Sequence, residues 1–323
     1  MTSNRQRVLG DINPAVTTGL EIGALHNPIV KKSDGNILYV DYAPAEILRE
    51  RFLYPHASAD DIVETDIVWN EKPLADSVDG TVDYILASHV IEHVPDLIGW
   101  LNELRTVLKE DGLLGLIVPD RRYTFDARRT VSSPGEMVEA YILRYKRPSI
   151  RQIFDAAVLS QHSPQKWEMD GTRDGLPAEI LERMLSAFNW MKSLHESGQY
   201  QDCHCWVFTP ESFLDMCEYM HALELFPYRV EYISPTQPGS FEFVVRLRAT
   251  SSSSESIASS IKKARVVLKT AYDAQFATGP EEDDATKLRQ EIAMLRTSTS
   301  WKITAPLRAI ASLMRIRNLR PPP

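Results

Sequence analysis

Two short, nearly continuous apolar runs, Val82–Ala87 and Leu113–Val118, constrain this chain more than any other feature of its sequence. Each is of strand length, and neither shows the in-out alternation of a strand with one wet face. Such runs belong to strands covered on both sides. Between them Leu97, Leu101, Leu104 and Leu108 recur at helical spacing, with Asp111-Gly112 as a stop signal. Upstream, Thr18–Ile22 leads into a turn at Gly23, and Asn36–Val40 ends in Asp41. Pro44–Phe52 reads as a helix with Ile47, Leu48 and Phe52 on one side, and Asp61–Val63 as a weak strand. Strands alternating with helices predict a Rossmann-like α/β fold, a doubly wound and mostly parallel sheet.

From Arg121 to Gln201 the rhythm changes to helices punctuated by Pro and Gly, over 135–144, 149–159 and 178–195. This is expected to be a helical insertion over a substrate pocket. The sheet pattern then resumes. Thr209 caps a helix that has Pro210 at its first position. Arg229–Ser234 and Phe241–Leu247 read as two closing strands. Ser251–Ser254 is expected to be a linker to a helical tail, with a helix near 257–275, an acidic turn at 279–284 and a basic amphipathic end. The expected division is therefore 1–120, 121–201, 202–249 and 250–323.

Charge narrows the partners. The chain carries 36 basic and 44 acidic residues, a net charge of −8. Residues 250–323 hold 12 basic and 7 acidic residues, so the tail is +5 and residues 1–249 are −13. An acidic body repels a phosphate backbone, which argues against a nucleic-acid substrate. No apolar run reaches the roughly 18 residues of a membrane span, and MTSNRQRVLGDINP lacks the apolar core of a signal peptide. Three cysteines, Cys203, Cys205 and Cys217, fit a reducing cytoplasm and not a disulfide framework. Cys-x-Cys without a distant second pair is read as alternation along a strand, not as a zinc site.

A glycine turn after the first strand and a carboxylate, Asp41, after the second are what a nucleotide-like cofactor needs: close backbone approach and a partner for ribose hydroxyls. Nicotinamide reductases share that logic. The longer set, Gly19-Leu-Glu-Ile-Gly23, Tyr39-Val-Asp41-Tyr, Asp83-Tyr-Ile-Leu-Ala-Ser-His-Val-Ile-Glu-His-Val-Pro-Asp96 and Leu108-Lys-Glu-Asp-Gly112, resembles class I S-adenosylmethionine-dependent methyltransferases of the type 11-like group. The resemblance implies S-adenosyl-L-methionine as cofactor. Glu21 and Gly23 would shape its methionine end, Asp41 hold the ribose, Asp66 meet the adenine edge, and Ser88 line the pocket. One departure is Ala24-Leu-His-Asn-Pro28, where further glycines are usual. It admits either a different loop over the same pocket or a domain that has lost the cofactor.

His89, Glu92 and His93 fall at i, i+3 and i+4, which one helical turn would place on one face, and His204 follows the insertion. Imidazoles and a carboxylate at this spacing suit a divalent ion. The pattern is similar to metal-assisted O-methyltransferases of ubiquinone biosynthesis and of small-RNA ribose 2′-hydroxyls, with His89 in place of their first Glu. The alternative is a metal-free site in which His89 or His93 is the general base. Asp120, Arg121, Arg122 and Tyr123 are substrate-side candidates at the crevice mouth, and Trp206 is expected in the core.

The segment Thr299-Ser-Trp-Lys-Ile-Thr-Ala-Pro-Leu-Arg308 resembles a short element at the ends of bacterial glycosyltransferases and associated proteins of surface-polysaccharide synthesis. Aliphatics and Trp301 interleaved with Arg and Lys also suit an interfacial or docking helix. The expected activity is O-methylation of a small-molecule or glycan acceptor. The sugar of a surface glycan or its precursor comes first and a small aromatic or quinone-like hydroxyl second. A non-catalytic scaffold for a glycosyltransferase complex is the third reading. The expected place is cytoplasmic, with tail contact to the inner membrane face or to such a complex.

Overall fold

The computed structural model describes residues 3–52, 57–70, 72–160, 178–251 and 254–277. The chain divides into two compact units, Met1–Ala271 and Tyr272–Pro323. The expected acidic turn at 279–284 and the basic amphipathic end of the tail lie outside the described residues.

The first unit is built on a seven-stranded sheet of β1 (Thr18–Ile22), β2 (Asn36–Asp41), β3 (Ile67–Val68), β4 (Val82–Ser88), β5 (Leu108–Pro119), β6 (Tyr228–Ile233) and β7 (Glu242–Ala249). Their order is β3-β2-β1-β4-β5-β7-β6. The first five are parallel, while β7 lies antiparallel between β5 and β6. This is the doubly wound, mostly parallel sheet the apolar runs require. Residues 113–119 of β5 are buried without alternation, because both faces of that strand are covered.

The helices are α1 (Asn4–Leu9), α2 (Ala45–Glu50), α3 (Leu97–Val107), α4 (Pro134–Ile142), α5 (Ile150–Leu159), α6 (Ala178–Ser197), α7 (Pro210–Ala222) and α8 (Ser254–Ala277). Local signals set their starts. Ser133 with Glu136, Ser149 with Gln152 and Thr209 with Ser212 form reciprocal caps at α4, α5 and α7. In the insertion, α5 and α6 pack through Ile153, Met191 and Leu194 at one end and Val158, Ile180 and Ala187 at the other.

Three expectations change. The weak strand at Asp61–Val63 is not one: Ala59–Asp61 is a 3-10 turn started by Ser58, whose side chain accepts from the Asp60 amide, and the third strand is Ile67–Val68. Local side-chain bonding favours the turn there. The helix before β5 ends at Val107, ahead of Asp111-Gly112, because Leu108 turns extended and pairs with Val82. The serine run does not end the first unit. The Ser251 amide donates to Glu110 Oε1 at 2.8 Å, and Ser260 Oγ of α8 accepts from the Val230 amide at 3.0 Å, covering edge strand β6.

Gly19 is required by packing, not by φ. A Cβ there would lie 2.1 Å from Cζ of the fully buried Tyr84 ring. Gly19→Ala is therefore expected to cost about 1–3 kcal/mol. Gly135→Ala, inside α4 with only Ser133 Oγ at 4.0 Å, should be neutral or gain up to about 1 kcal/mol. Urea denaturation of the two variants checks the opposite signs.

Candidate active site

The carboxyl ends of β1, β2 and β4 lie side by side, the place where a doubly wound sheet binds its ligand. Gly23 has φ +67°, and its amide donates to the Val40 carbonyl at 2.9 Å. A Cβ at Gly23 would stand 2.7 Å from Val90 Cγ2, so only glycine lets the backbone turn here. Asp41 ends β2 and accepts from the Tyr42 amide. Burial pushes its carboxyl up to about 6, against that hydrogen bond. Ser88 ends β4, half-buried and level with Ile117.

Glu21 plays a different part from the one its motif suggested. It is 2% exposed and accepts from the amides of Ile29 at 2.6 Å and Val30 at 3.0 Å. Burial raises it to about 7 against those two bonds. It braces the loop that contains Ala24-Leu-His-Asn-Pro28, which is how a turn with few glycines is held. Asp66 also spends its carboxylate inside the protein, on the Tyr39 amide at 2.8 Å and on Lys32. It is not left free for an adenine edge. The sequence placed it by order along the chain, whereas the structure sets it level with Tyr39, below Asp41 in the ladder.

The turn after β4 meets the extended segment after α6. The carbonyl of Glu92 accepts from the amides of Cys205 at 2.5 Å and Trp206 at 3.1 Å, and the Trp206 indole donates to the Val94 carbonyl at 2.6 Å. That stitching brings His204 to Glu92 and His93. One ligand atom from each of the three lies within 4.8 Å of the others. Glu92 is fully buried, and among the described residues neither carboxylate oxygen has a hydrogen-bond partner. The rings of His93 and His204 meet edge to face at 4.8 Å between centroids. Such a trio suits a divalent cation, or proton transfer at an imidazole.

Each imidazole has its own carboxylate. His204 Nδ1 lies 2.6 Å from Asp126 Oδ2, and His93 Nδ1 lies 3.1 Å from Asp202 Oδ1. Asp126 also pairs with the buried Arg129 at 2.8 Å. Burial would raise both aspartates, but the imidazole hydrogen bonds outweigh it and hold them low. His93 moves up: its burial is overcome by Asp202 and Glu92. Neither aspartate stands out in sequence, because each lies far along the chain from the histidine it serves.

His89 stands apart from the trio. It sits at φ +54°, a left-handed conformation unusual for a non-glycine residue. Its Nε2 lies 2.7 Å from Glu242 and its Nδ1 3.4 Å from Glu92. Burial would lower it, but the two carboxylates raise it to about 9. Both of its nitrogens face carboxylates, and it is not among the residues whose ligand atoms meet in the trio. Helical spacing does not hold here because the segment from 89 to 95 is a turn rather than a helix.

Outward from the trio lies a cavity of about 450 Å³, lined by His93, Phe125, Ile153, Ala156, Trp190 and His204 among others. The mouth residues named from sequence are not on it. Asp120 is fully buried and holds the Arg122 side chain and the Thr236 hydroxyl, the latter at 2.7 Å. Trp206 is core, 1% exposed. The Cys203 and Cys205 segment carries no strand, so alternation does not explain that pair.

His89 gives the site a pH signature. Its folded pKa lies above the ordinary value, so its contribution is complete below pH 6.5 and is lost as pH rises through about 9. Its side chain is 35% exposed, so solvent screening reduces the effect to about 1–2 kcal/mol. Urea unfolding at pH 6.5 and 9.5 should show this loss in the native protein and a smaller one in His89→Gln.

A family described as "Methyltransferase domain" matches residues 2–219. No curated protein matches in sequence. Among solved structures, a CurJ carbon methyltransferase is 12% identical, covering 75% of this chain and 51% of that one, with a TM-score of 0.36. The trans-methyltransferase CalH, in complex with SAH, is 15% identical, covering 76% and 55%, at 0.36. A S-adenosylmethionine dependent methyltransferase from Mesorhizobium loti is 11% identical, covering 76% and 95%, at 0.36. The chain thus spans about half the length of the first two, and at these scores the likenesses add nothing to the family match. With more than half its length inside that match, the chain belongs to the methyltransferase-domain family.

Proposed function

We propose that this methyltransferase transfers the methyl group of S-adenosylmethionine to a hydroxyl oxygen, on a sugar of a surface glycan or its lipid-linked precursor. The observation that carries O-methylation is the Glu92–His93–His204 trio at the inner end of an acceptor-sized cavity. The turn that carries Glu92 and His93 also supplies Val90, which lies against Gly23, so the donor end and the trio are neighbours.

In this reading the Gly23 turn and Ser88 line the methionine end, and Asp41 accepts from the ribose hydroxyls. The sulfonium is already a good leaving group, so the protein's tasks are alignment and removal of the hydroxyl proton. Glu92, His93 and His204 fit a divalent ion: a buried carboxylate with no hydrogen-bond partner among the described residues and two imidazoles facing each other. Bound there, the ion would lower the pKa of the acceptor hydroxyl. Without it, His93 or His204 accepts the proton.

The choice of a sugar rests on the sequence of the tail. One observation favours the second reading, an aromatic or quinone-like hydroxyl: Phe125, Ile153 and Trp190 make one cavity wall apolar. Tail contact with the membrane face or with a glycosyltransferase complex is part of the same proposal. Among the described residues no helix is long and apolar enough to cross a membrane.

Calorimetric titration should show S-adenosylmethionine binding, weakened at least tenfold in Asp41→Asn, which loses one acceptor of a charged hydrogen-bond pair. Absence of heat in the native protein overturns the reading and leaves the scaffold alternative. EDTA should abolish methyl incorporation and one divalent ion restore it; activity indifferent to chelation removes the metal. Labelled methyl recovered on phenolic and not on sugar acceptors reverses the order of the two substrate classes.

A further inference from the structure

The two aspartates beside the trio lie at the two roots of the helical insertion. Asp126 follows β5, shortly before α4, and Asp202 follows α6. Each faces Nδ1 of an imidazole, at 2.6 Å for His204 and 3.1 Å for His93. A carboxylate can only accept, so Nδ1 must carry the proton, and Nε2 is left as the nitrogen with a lone pair. Asp126 is itself fixed by Arg129, with side chains 3% and 6% exposed. Phe125, next to Asp126, packs on the His204 ring at 4.7 Å and lines the cavity.

We infer that Asp126 and Asp202 are positioning residues, which hold His204 and His93 as Nδ1–H tautomers so that both present a bare Nε2. The inference rests on the trio being the centre of the reaction. It gives the insertion a second task. The segment that walls the acceptor cavity also carries both groups that set the imidazoles, so the catalytic centre is complete only when the insertion is docked.

The test uses the full-length protein with ¹⁵N-labelled histidine, free of metal, at pH 8.5. Long-range ¹H–¹⁵N spectra should show His93 and His204 protonated at Nδ1. In Asp126→Asn the amide can donate to Nδ1, and His204 should move toward the Nε2–H form. Asp202→Asn should do the same to His93, and Asp202→Glu should restore it. Calorimetry with Zn²⁺ alone should show a 10- to 100-fold loss of affinity in each Asn variant, with S-adenosylmethionine binding within twofold of native.

Asp126→Asn leaves Arg129 buried without its partner; if it does not fold, Asp126→Asn with Arg129→Met carries that arm. Asp202, with its side chain 54% exposed, carries the other without that risk. Nε2–H histidines in the native protein would overturn the inference, as would Asn variants with unchanged tautomers and Zn²⁺ affinity. Native protein that binds no Zn²⁺ while the tautomers respond as stated refutes the metal and upholds the positioning. Loss of S-adenosylmethionine binding in native protein refutes the proposed function, whatever the tautomers show.

Discussion

A carboxylate removed from water has to be compensated by charge or by hydrogen bonds, and Glu92 is fully buried with no hydrogen bond to either oxygen among the described residues. Its compensation is an arrangement of neighbours: charged His89 at 3.4 Å on one side, and the imidazoles of His93 and His204 with it in the trio. The backbone keeps Glu92 there, since its carbonyl takes two amides from the Cys205–Trp206 segment. Remove that segment and the carboxylate loses both its anchor and one imidazole. The left-handed backbone of His89 is the accompanying distortion, held because its imidazole is gripped between Glu92 and Glu242.

The same residues tie the chemistry to the sheet. Charge around Glu92 is distributed in pairs, with Asp126 opposite Arg129, Glu242 opposite His89, and Asp202 opposite His93. Asp126 and Arg129 share the loop after β5, while the other two pairs each join separate parts of the fold. The partners come from β7, from the turn after β4, from the loop after β5 and from the segment after α6. A site built in this way is rigid because several separate parts of the fold must agree on its position.

Most of the sheet was legible because burial on both faces writes unbroken apolar runs, as in Leu113–Val118, and because caps such as Thr209–Pro210 are local chemistry. The positions of Gly23 and Asp41 were legible for the same reason: each lies at a strand end. The errors arose where a side chain's partner is distant. Glu21 looks like a ligand residue until Ile29 and Val30 are seen to occupy it. Asp66 is claimed by Tyr39 and Lys32. His89 was grouped with Glu92 and His93 by helical spacing, but the chain makes a turn there, and β7 delivers Glu242 from 153 residues away. Asp126 and Asp202 carry no local pattern at all.

The placement of β7 has a consequence for the order in which this protein becomes itself. Its first residue, Glu242, pairs with Pro119, and the strand must slide between β5 and β6 after everything from 120 to 241 has been made. Closing so long a loop is slow compared with forming local helices. During synthesis, the pairing of β1, β2 and β4 can therefore exist before the partner of His89 has left the ribosome. A nascent chain with β1, β2 and β4 already paired would still lack Glu242 beside His89, so that ion pair forms only when β7 arrives.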